Sequence, residues 1–236
     1  MKSLQNPSQN RLLNRLNATS NISFLSEFEL VYLPQGKILF DAGQKLTHSY
    51  FPTTAVISTE FRSTEKLWIE LEAIRNDGLF GLPSSMDDQL VTRAIVQSPG
   101  YAYTIQTNLI EKEIVRSNDF FHILLIFLQL RLTKISQIAI CSRFHSIEQQ
   151  LCRLLLNALD YSPTNTLNIT QYIIAAKLNV RRESIASYAA KLHREGILNV
   201  MRGKVTVIKR EALEKRTCEC YQVILKEVDR LLNYAI

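Results

Sequence analysis

At 236 residues, 46% of them hydrophobic, the chain has material for one large or two small cores. Its net charge of +6 is unevenly placed: residues 141–236 hold 15 Lys and Arg against 9 Asp and Glu, whereas residues 1–140 hold 13 of each. That is the electrostatic footprint expected of a nucleic-acid-binding domain joined to a neutral module. The opening MKSLQNPSQN is polar, so no secretory signal is expected. The most apolar run, FFHILLIFLQL, contains His122 and Gln129 and is too short to span a bilayer, so no membrane partner and a cytoplasmic location are expected.

In chain order, residues 10–17 and 22–30 read as short helical pieces. From Val31 to about Thr107 the texture changes to short strands at about ten-residue spacing: VYLPQGKILFDAGQ, HSYFPTTAVIST, LWIELEAI, NDGLFGLP and TRAIVQSPGYAYTI. Five of the seven glycines (Gly36, Gly43, Gly78, Gly81, Gly100) fall at the turns, which predicts an antiparallel barrel or jelly roll. Residues 108–160 read as helix. Within them Phe121, Leu125, Leu128, Leu132, Ile135 and Ala139 follow the 4-3-4-3-4 seam of a coiled coil, a predicted dimer interface. Ile123, Ile126 and Phe127 lie off that seam and are expected to pack on the barrel. Ser146 with Gln149 makes a capping box, so a new helix starts after His145.

Residues 168–196, NITQYIIAAKLNVRRESIASYAAKLHREG, hold two apolar stripes around Asn179–Val180. Ile173, Ile174 and Leu178 share one predicted face, and Ile185, Ala189 and Leu192 another. Thr170 serves as N-cap and Gly196 as the C′ glycine, which makes a helix-turn-helix. With Ile185 at the centre of the buried face, Glu183, Ser187, Ala190 and Arg194 point outward, and Arg182 and Lys191 lie on the flanks. Arg181 and Arg182 oppose the helix dipole unless a partner rewards them, as phosphate and guanine edges would. Glu183 can accept from the cytosine amino group. Thr170, Gln171, Arg181, Arg182, Glu183, Ser184, Ser187 and Lys191 are therefore the candidate DNA contacts. ILNVMRGKVTVIK alternates around Arg202–Gly203, a β-hairpin whose Arg202 and Lys204 extend the candidate surface.

Residues 211–236 read as one amphipathic helix. On such a helix Cys218 and Cys220 point about 200° apart, so they are expected to be half-buried structural thiols rather than ligands of one metal. Cys141 and Cys152 complete the cysteines without a CxxC pair, and His48, His122, His145 and His193 have no metal-binding spacing. No cofactor is expected. Nothing resembles a nucleophile–base set or a phosphate loop, so no enzyme is expected.

Taken together, GKILFDAG (36–43), YFPTTAVIS (50–58), GLFG (78–81), CSRFHSIEQQL (141–151) and TQYIIAAKLNVRRESI (170–185) resemble the Crp/Fnr superfamily of bacterial transcription regulators over roughly residues 10–210. CECY (218–221) looks like the tail of one subgroup. The resemblance implies an α+β fold: a cyclic-nucleotide-binding-like jelly roll over residues 1–115, a dimerisation helix and hinge over 116–145, and a winged helix-turn-helix with a C-terminal helix over 146–236. It further implies a homodimer on double-stranded DNA that works with RNA polymerase and an unidentified effector. Arg182 and Glu183 match the family's base-reading pair; Arg181 replaces the usual Ser or Thr cap, Asn179 the turn glycine, and Ser187 a further arginine. Gly78, Gly81, Arg93 and Ala94 map to the effector pocket. The cyclic-nucleotide cassette is altered. Leu82 stands where a glutamate follows the glycine in receptor members, and aligning the alanines puts Thr92 at the phosphate arginine. Arg93 is then turned to the opposite face, as a surface strand residue. A regulator independent of cAMP is expected; the alternatives are a cyclic-nucleotide receptor or a non-catalytic protein- or RNA-binding adaptor.

Overall fold

The structure, a computed structural model, describes residues 6–19, 25–62, 68–83, 91–162 and 164–233. The chain divides into two compact units, Met1–Leu132 with Val228–Ile236, and Thr133–Glu227.

The first unit begins with α1 (Arg11–Thr19) and continues through seven strands: β1 (Glu29–Leu33), β2 (Ile38–Phe40), β3 (His48–Pro52), β4 (Val56–Arg62), β5 (Trp68–Ile74), β6 (Thr92–Ser98) and β7 (Gly100–Gln106). They pair antiparallel in two sheets, ordered β1-β7-β3 and β2-β6-β4-β5. Alternate residues face inward, so Ile57, Ile74, Ala94, Val96 and Ala102 share one core with Leu33 and Phe40. A second core joins Leu12, Leu13 and Leu16 of α1 to Phe51, Ile105 and the helices that follow the strands. Asn10 fastens α1 in place: its Nδ2 donates to the Pro52 and Gly78 carbonyls at 2.8 and 2.9 Å, and its Oδ1 accepts from the Leu13 amide.

Two expectations change here. NDGLFGLP forms no strand; only Phe80 bridges to Tyr50. Gly81 has φ +89°, and a Cβ there would lie 2.7 Å from the His48 carbonyl, so the chain turns away instead of extending the sheet. Of the helical piece expected over 22–30, residues 22–24 lie outside the described residues. Leu25–Glu27 is a single 3₁₀ turn, and β1 starts at Glu29.

Next come α2 (Thr107–Arg116) and α3 (Asn118–Phe144). At 27 residues α3 is long and apolar enough, by length and composition alone, to cross a membrane, contrary to the expectation from its apolar run. Its composition reflects two apolar faces. Phe120, Ile123, Leu124, Phe127 and Leu130 are buried, and the Arg131 guanidinium on the same helix pairs with the Glu72 carboxylate of β5. The other face is exposed: Phe121, Leu125, Leu128, Leu132 and Ile135 are each 40% to 67% accessible, and Ala139 is open as well.

The second unit carries the end of α3, then α4 (Ile147–Leu159), β8 (Thr166–Leu167), α5 (Gln171–Leu178), α6 (Arg182–Arg194), β9 (Leu198–Met201), β10 (Lys204–Val207), α7 (Arg210–Glu214) and, as far as Glu227, α8 (Cys220–Leu232). Ser146 caps α4 in a complete capping box with Gln149. Leu151, Leu155, Ile174, Ile185, Leu192, Leu198, Val205 and Tyr221 meet in one core. The single helix expected over 211–236 is two, α7 and α8, separated by residues 215–219. Arg216 holds that break through ion pairs with Glu148 and Glu195. Cys218 therefore lies outside any helix, and helical spacing no longer separates it from Cys220. Both thiols are buried rather than half-buried.

Candidate nucleic-acid interface

Sequence chemistry fixes both ends of the α5–α6 pair. The Thr170 hydroxyl accepts from the Ile173 amide at 3.2 Å, which satisfies one free N–H of the first turn of α5. Helix α5 stops at Asn179, the one non-glycine residue with positive φ among those described, in the left-handed conformation at φ 51°, ψ 48°. Asn carries that conformation at lower cost than most residues, so it serves where the turn glycine is missing. The Val180 amide then returns to the Ala175 carbonyl at 3.0 Å and closes the turn. Arg181 sits at the N-cap of α6 with no side-chain capping bond. Past the far end of α6, Gly196 has φ +66° and its amide donates to the His193 carbonyl.

Helix α6 buries Ile185, Ala189 and Leu192 and exposes Arg182, Glu183, Ser187, Ala190 and Arg194. Arg181 is also exposed, and Ser184 is half-buried. Thr170 is exposed beside half-buried Gln171 at the start of α5. The buried face of α5 differs from the expected one by one residue: Ile174 and Ala175 are buried, Leu178 is half-buried, and Ile173 is exposed. Tyr172, not singled out by periodicity, projects into solvent next to Gln171. Lys191 is exposed but already paired, its Nζ 2.7 Å from Glu148 Oε2, and that hydrogen bond raises its pKa above the ordinary lysine value. Of the candidate cations it is the least available to a phosphate.

The wing is built by β9 and β10, in register from Lys204↔Met201 to Val207↔Leu198, with β8 added along the free edge of β10. Strand β8 is two residues long, too short to leave a period in the sequence. Arg202 and Lys204 are exposed at and beside the hairpin turn. Behind the wing, Arg210 Nη2 contacts Asp160 Oδ1 at 2.5 Å and Tyr221 Oη at 2.7 Å, while the Tyr221 hydroxyl donates to the same carboxylate. Burial, first, and Asp160, second, push the Tyr221 pKa upward, so the phenol stays a donor.

Of the effector-pocket residues, Arg93 and Ala94 part to opposite faces of β6. Ala94 is buried in the sheet core, and Gly78 lies against the Phe127 ring. Arg93 is on the other face of β6, where it pairs with Glu60 at 2.7 Å and stacks 3.7 Å above the Trp68 ring. It is thus an anchored, largely buried ion pair rather than a bare surface residue. Residues 84–90 of the cassette lie outside the described residues. Among the described residues, a group that could hold a metal is one periodicity set aside, Cys141, His145, Cys218 and Cys220.

Residues 149–216 match the family described as the Crp-like helix-turn-helix domain. No curated protein matches the chain. Among solved structures the chain is similar to FixK2 from Bradyrhizobium japonicum, with a TM-score of 0.70 at 12% identity, covering 81% of this chain and 98% of that one. It is also similar to a protein from Eubacterium rectale described as a transcriptional regulator of the Crp/Fnr family, with a TM-score of 0.67, 17% identity and coverage of 94% and 97%. A CRP-family transcriptional regulator from Thermus thermophilus matches with a TM-score of 0.67 and 14% identity over 79% and 95%.

Proposed function

From a chain with the Crp/Fnr regulator fold and a Crp-like helix-turn-helix domain, we propose a sequence-specific transcription regulator that binds double-stranded DNA as a homodimer and does not depend on cAMP. The observation that carries the reading is the outer face of α6, where Arg182, Glu183, Ser187 and Arg194 stand exposed after a closed turn. Arg182 and Glu183 are the base readers, with Ser184 and Ser187 beside them. Thr170, Gln171, Arg181, Arg202 and Lys204 supply backbone contacts that set register without carrying sequence information.

Dimerisation uses the exposed seam of α3, Phe121 to Ala139, because an apolar stripe of this regularity calls for a partner surface. Independence from cAMP is supported by the commitment of Arg93 to Glu60 and Trp68, since a cyclic phosphate would have to displace both. Gly78, Gly81 and Ala94 serve packing in this reading.

The test compares variants on an operator and on scrambled DNA. Arg182→Ala is expected to lose about 1–3 kcal/mol on the operator and to relax selectivity at one base pair. Lys204→Ala should weaken both duplexes alike. Equal loss on both by Arg182→Ala would remove Arg182 from the base-reading role. Binding to single-stranded RNA or protein with no duplex preference would favour the adaptor reading instead.

A further inference from the structure

Within the second unit the end of α3 meets the segment that enters α8. Cys141 lies in the last turn of α3 and His145 directly follows that helix, its amide donating to the Cys141 carbonyl at 3.1 Å, which keeps the two residues one turn apart. Cys218 precedes α8 and Cys220 opens it, and the non-helical backbone between them lets both sulfurs reach the same point. The three Sγ atoms and one imidazole nitrogen all lie within 4.8 Å of one another. Cys141 Sγ and Cys218 Sγ are 3.5 Å apart, and Cys220 Sγ is 3.4 Å from His145 Nδ1. We propose that Cys141, His145, Cys218 and Cys220 bind one structural Zn²⁺ ion that ties the end of α3 to the start of α8.

Three observations agree with that assignment. The first is size. With Zn–S near 2.3 Å and Zn–N near 2.0 Å, a tetrahedron has S···S edges of about 3.8 Å and S···N edges of about 3.5 Å. The Cys141–Cys218 and Cys220–His145 separations lie within a few tenths of an ångström of those edges, and the remaining pairs, all within 4.8 Å, need to close by at most about 1 Å. Four donors gathered this closely around one point leave no room for a multi-iron cluster. The second is the surroundings of the ligands. His145 Nε2 is 3.1 Å from Glu219 Oε1, which leaves Nδ1 as the ligating nitrogen, the carboxylate–histidine–metal arrangement that sets ring tautomer and orientation. Gln137 Nε2 donates to Cys220 Sγ at 3.1 Å.

The third is charge. Arg153, itself buried, donates its Nε to Cys141 Sγ at 3.2 Å. Against a neutral thiol that guanidinium is poorly compensated, whereas one zinc and three thiolates carry a net −1 that it balances. On binding, three S–H bonds give way to three Zn–S bonds and the three protons pass to solvent, with no change of oxidation state. Four protein ligands close the coordination sphere, which makes the site structural rather than catalytic. The zinc assignment does not rest on the DNA reading: a chain that bound no DNA would still hold the metal.

The full chain, purified under reducing conditions from zinc-supplemented medium, is expected to carry one zinc per chain by elemental analysis. Cys218→Ser and Cys220→Ser should each empty the site, while Cys152→Ala, a buried thiol outside the quartet, should keep it full. Glu219→Gln should retain the site with about 10–100-fold weaker affinity in a chelator competition, because it alters only the partner of His145. Should the serine variants fail to fold, stripped wild-type protein titrated with Co²⁺ should show the intense visible bands of tetrahedral thiolate coordination. Any of four results would overturn the proposal: wild-type protein that takes up neither zinc nor cobalt, zinc content unchanged in both serine variants, iron with acid-labile sulfide in its place, or a Cys141–Cys218 disulfide in the reduced preparation.

Discussion

Leu132→Glu probes the α3 seam where a structural side effect is least expected. Leu132 is 67% accessible in the single chain, so the subunit itself gains little from it and should lose no more than about 0.5 kcal/mol of folding stability. Across a twofold axis each copy would recover about two-thirds of the 1.5–3 kcal/mol that a fully buried leucine contributes. That is roughly 1–2 kcal/mol per copy and 2–4 kcal/mol per dimer. At about 1.4 kcal/mol per tenfold, the dissociation constant should rise about 30- to 1,000-fold from lost burial alone, before two glutamates facing each other are counted. Sedimentation velocity over nanomolar to micromolar concentrations reads the shift, and thermal melting checks that the fold is intact. A wild-type chain that sediments as a monomer at micromolar concentration, or a Leu132→Glu dimer as tight as wild type, would refute the reasoning.

Asn179→Val places a β-branched residue at φ 51° and should cost about 1–3 kcal/mol in urea titration, whereas Asn179→Gly should be neutral or mildly stabilising. Tyr221→Phe removes the hydroxyl bonded to Asp160 and Arg210 and should cost about 1–3 kcal/mol at neutral pH. Because the folded Tyr221 pKa is raised, that tyrosine's contribution is complete below its unfolded pKa near 10 and is lost as pH rises through the higher folded value. The variant should therefore show a shallower loss of stability above pH 10 than wild type does. Millimolar cAMP or cGMP should leave the melting temperature unchanged. A true ligand at about 100 times its dissociation constant would contribute about 2.7 kcal/mol and raise the midpoint by about 5–10 °C, an effect Arg93→Ala should then abolish.

The helix-turn-helix was legible because its signals are local. Thr170 as cap, Asn179 as left-handed turn, the 3/4 spacing of Ile185, Ala189 and Leu192, and Gly196 after the last turn each act within a few residues. The two faces of α3 were legible for the same reason, as two heptad-compatible stripes on one long helix. What failed depended on tertiary partners. Residues 214–220, EKRTCEC, hold no glycine or proline, and the helix breaks there because Arg216 is drawn to Glu148 and Glu195. With the break hidden, Cys218 and Cys220 read as opposed, and Cys141 and His145 lie more than seventy residues away in sequence. In α5, eight residues with apolar neighbours at 173–176 do not fix the helix phase, so Ile173 reads as buried where it is exposed. Strand alternation correctly separates Arg93 from Ala94, but the partners Glu60 and Trp68 come from other strands of the sheet, which periodicity cannot register.

Selection of bound duplexes from a random pool, followed by sequencing, tests the central claim most directly. The expected result is enrichment of a palindromic consensus whose half-site centres lie about one helical turn apart, roughly 34 Å. Arg182→Ala should blur one position in each half-site. A pool that remains random after repeated rounds, with binding set by salt concentration alone, would contradict the assignment of the α6 surface as a sequence reader.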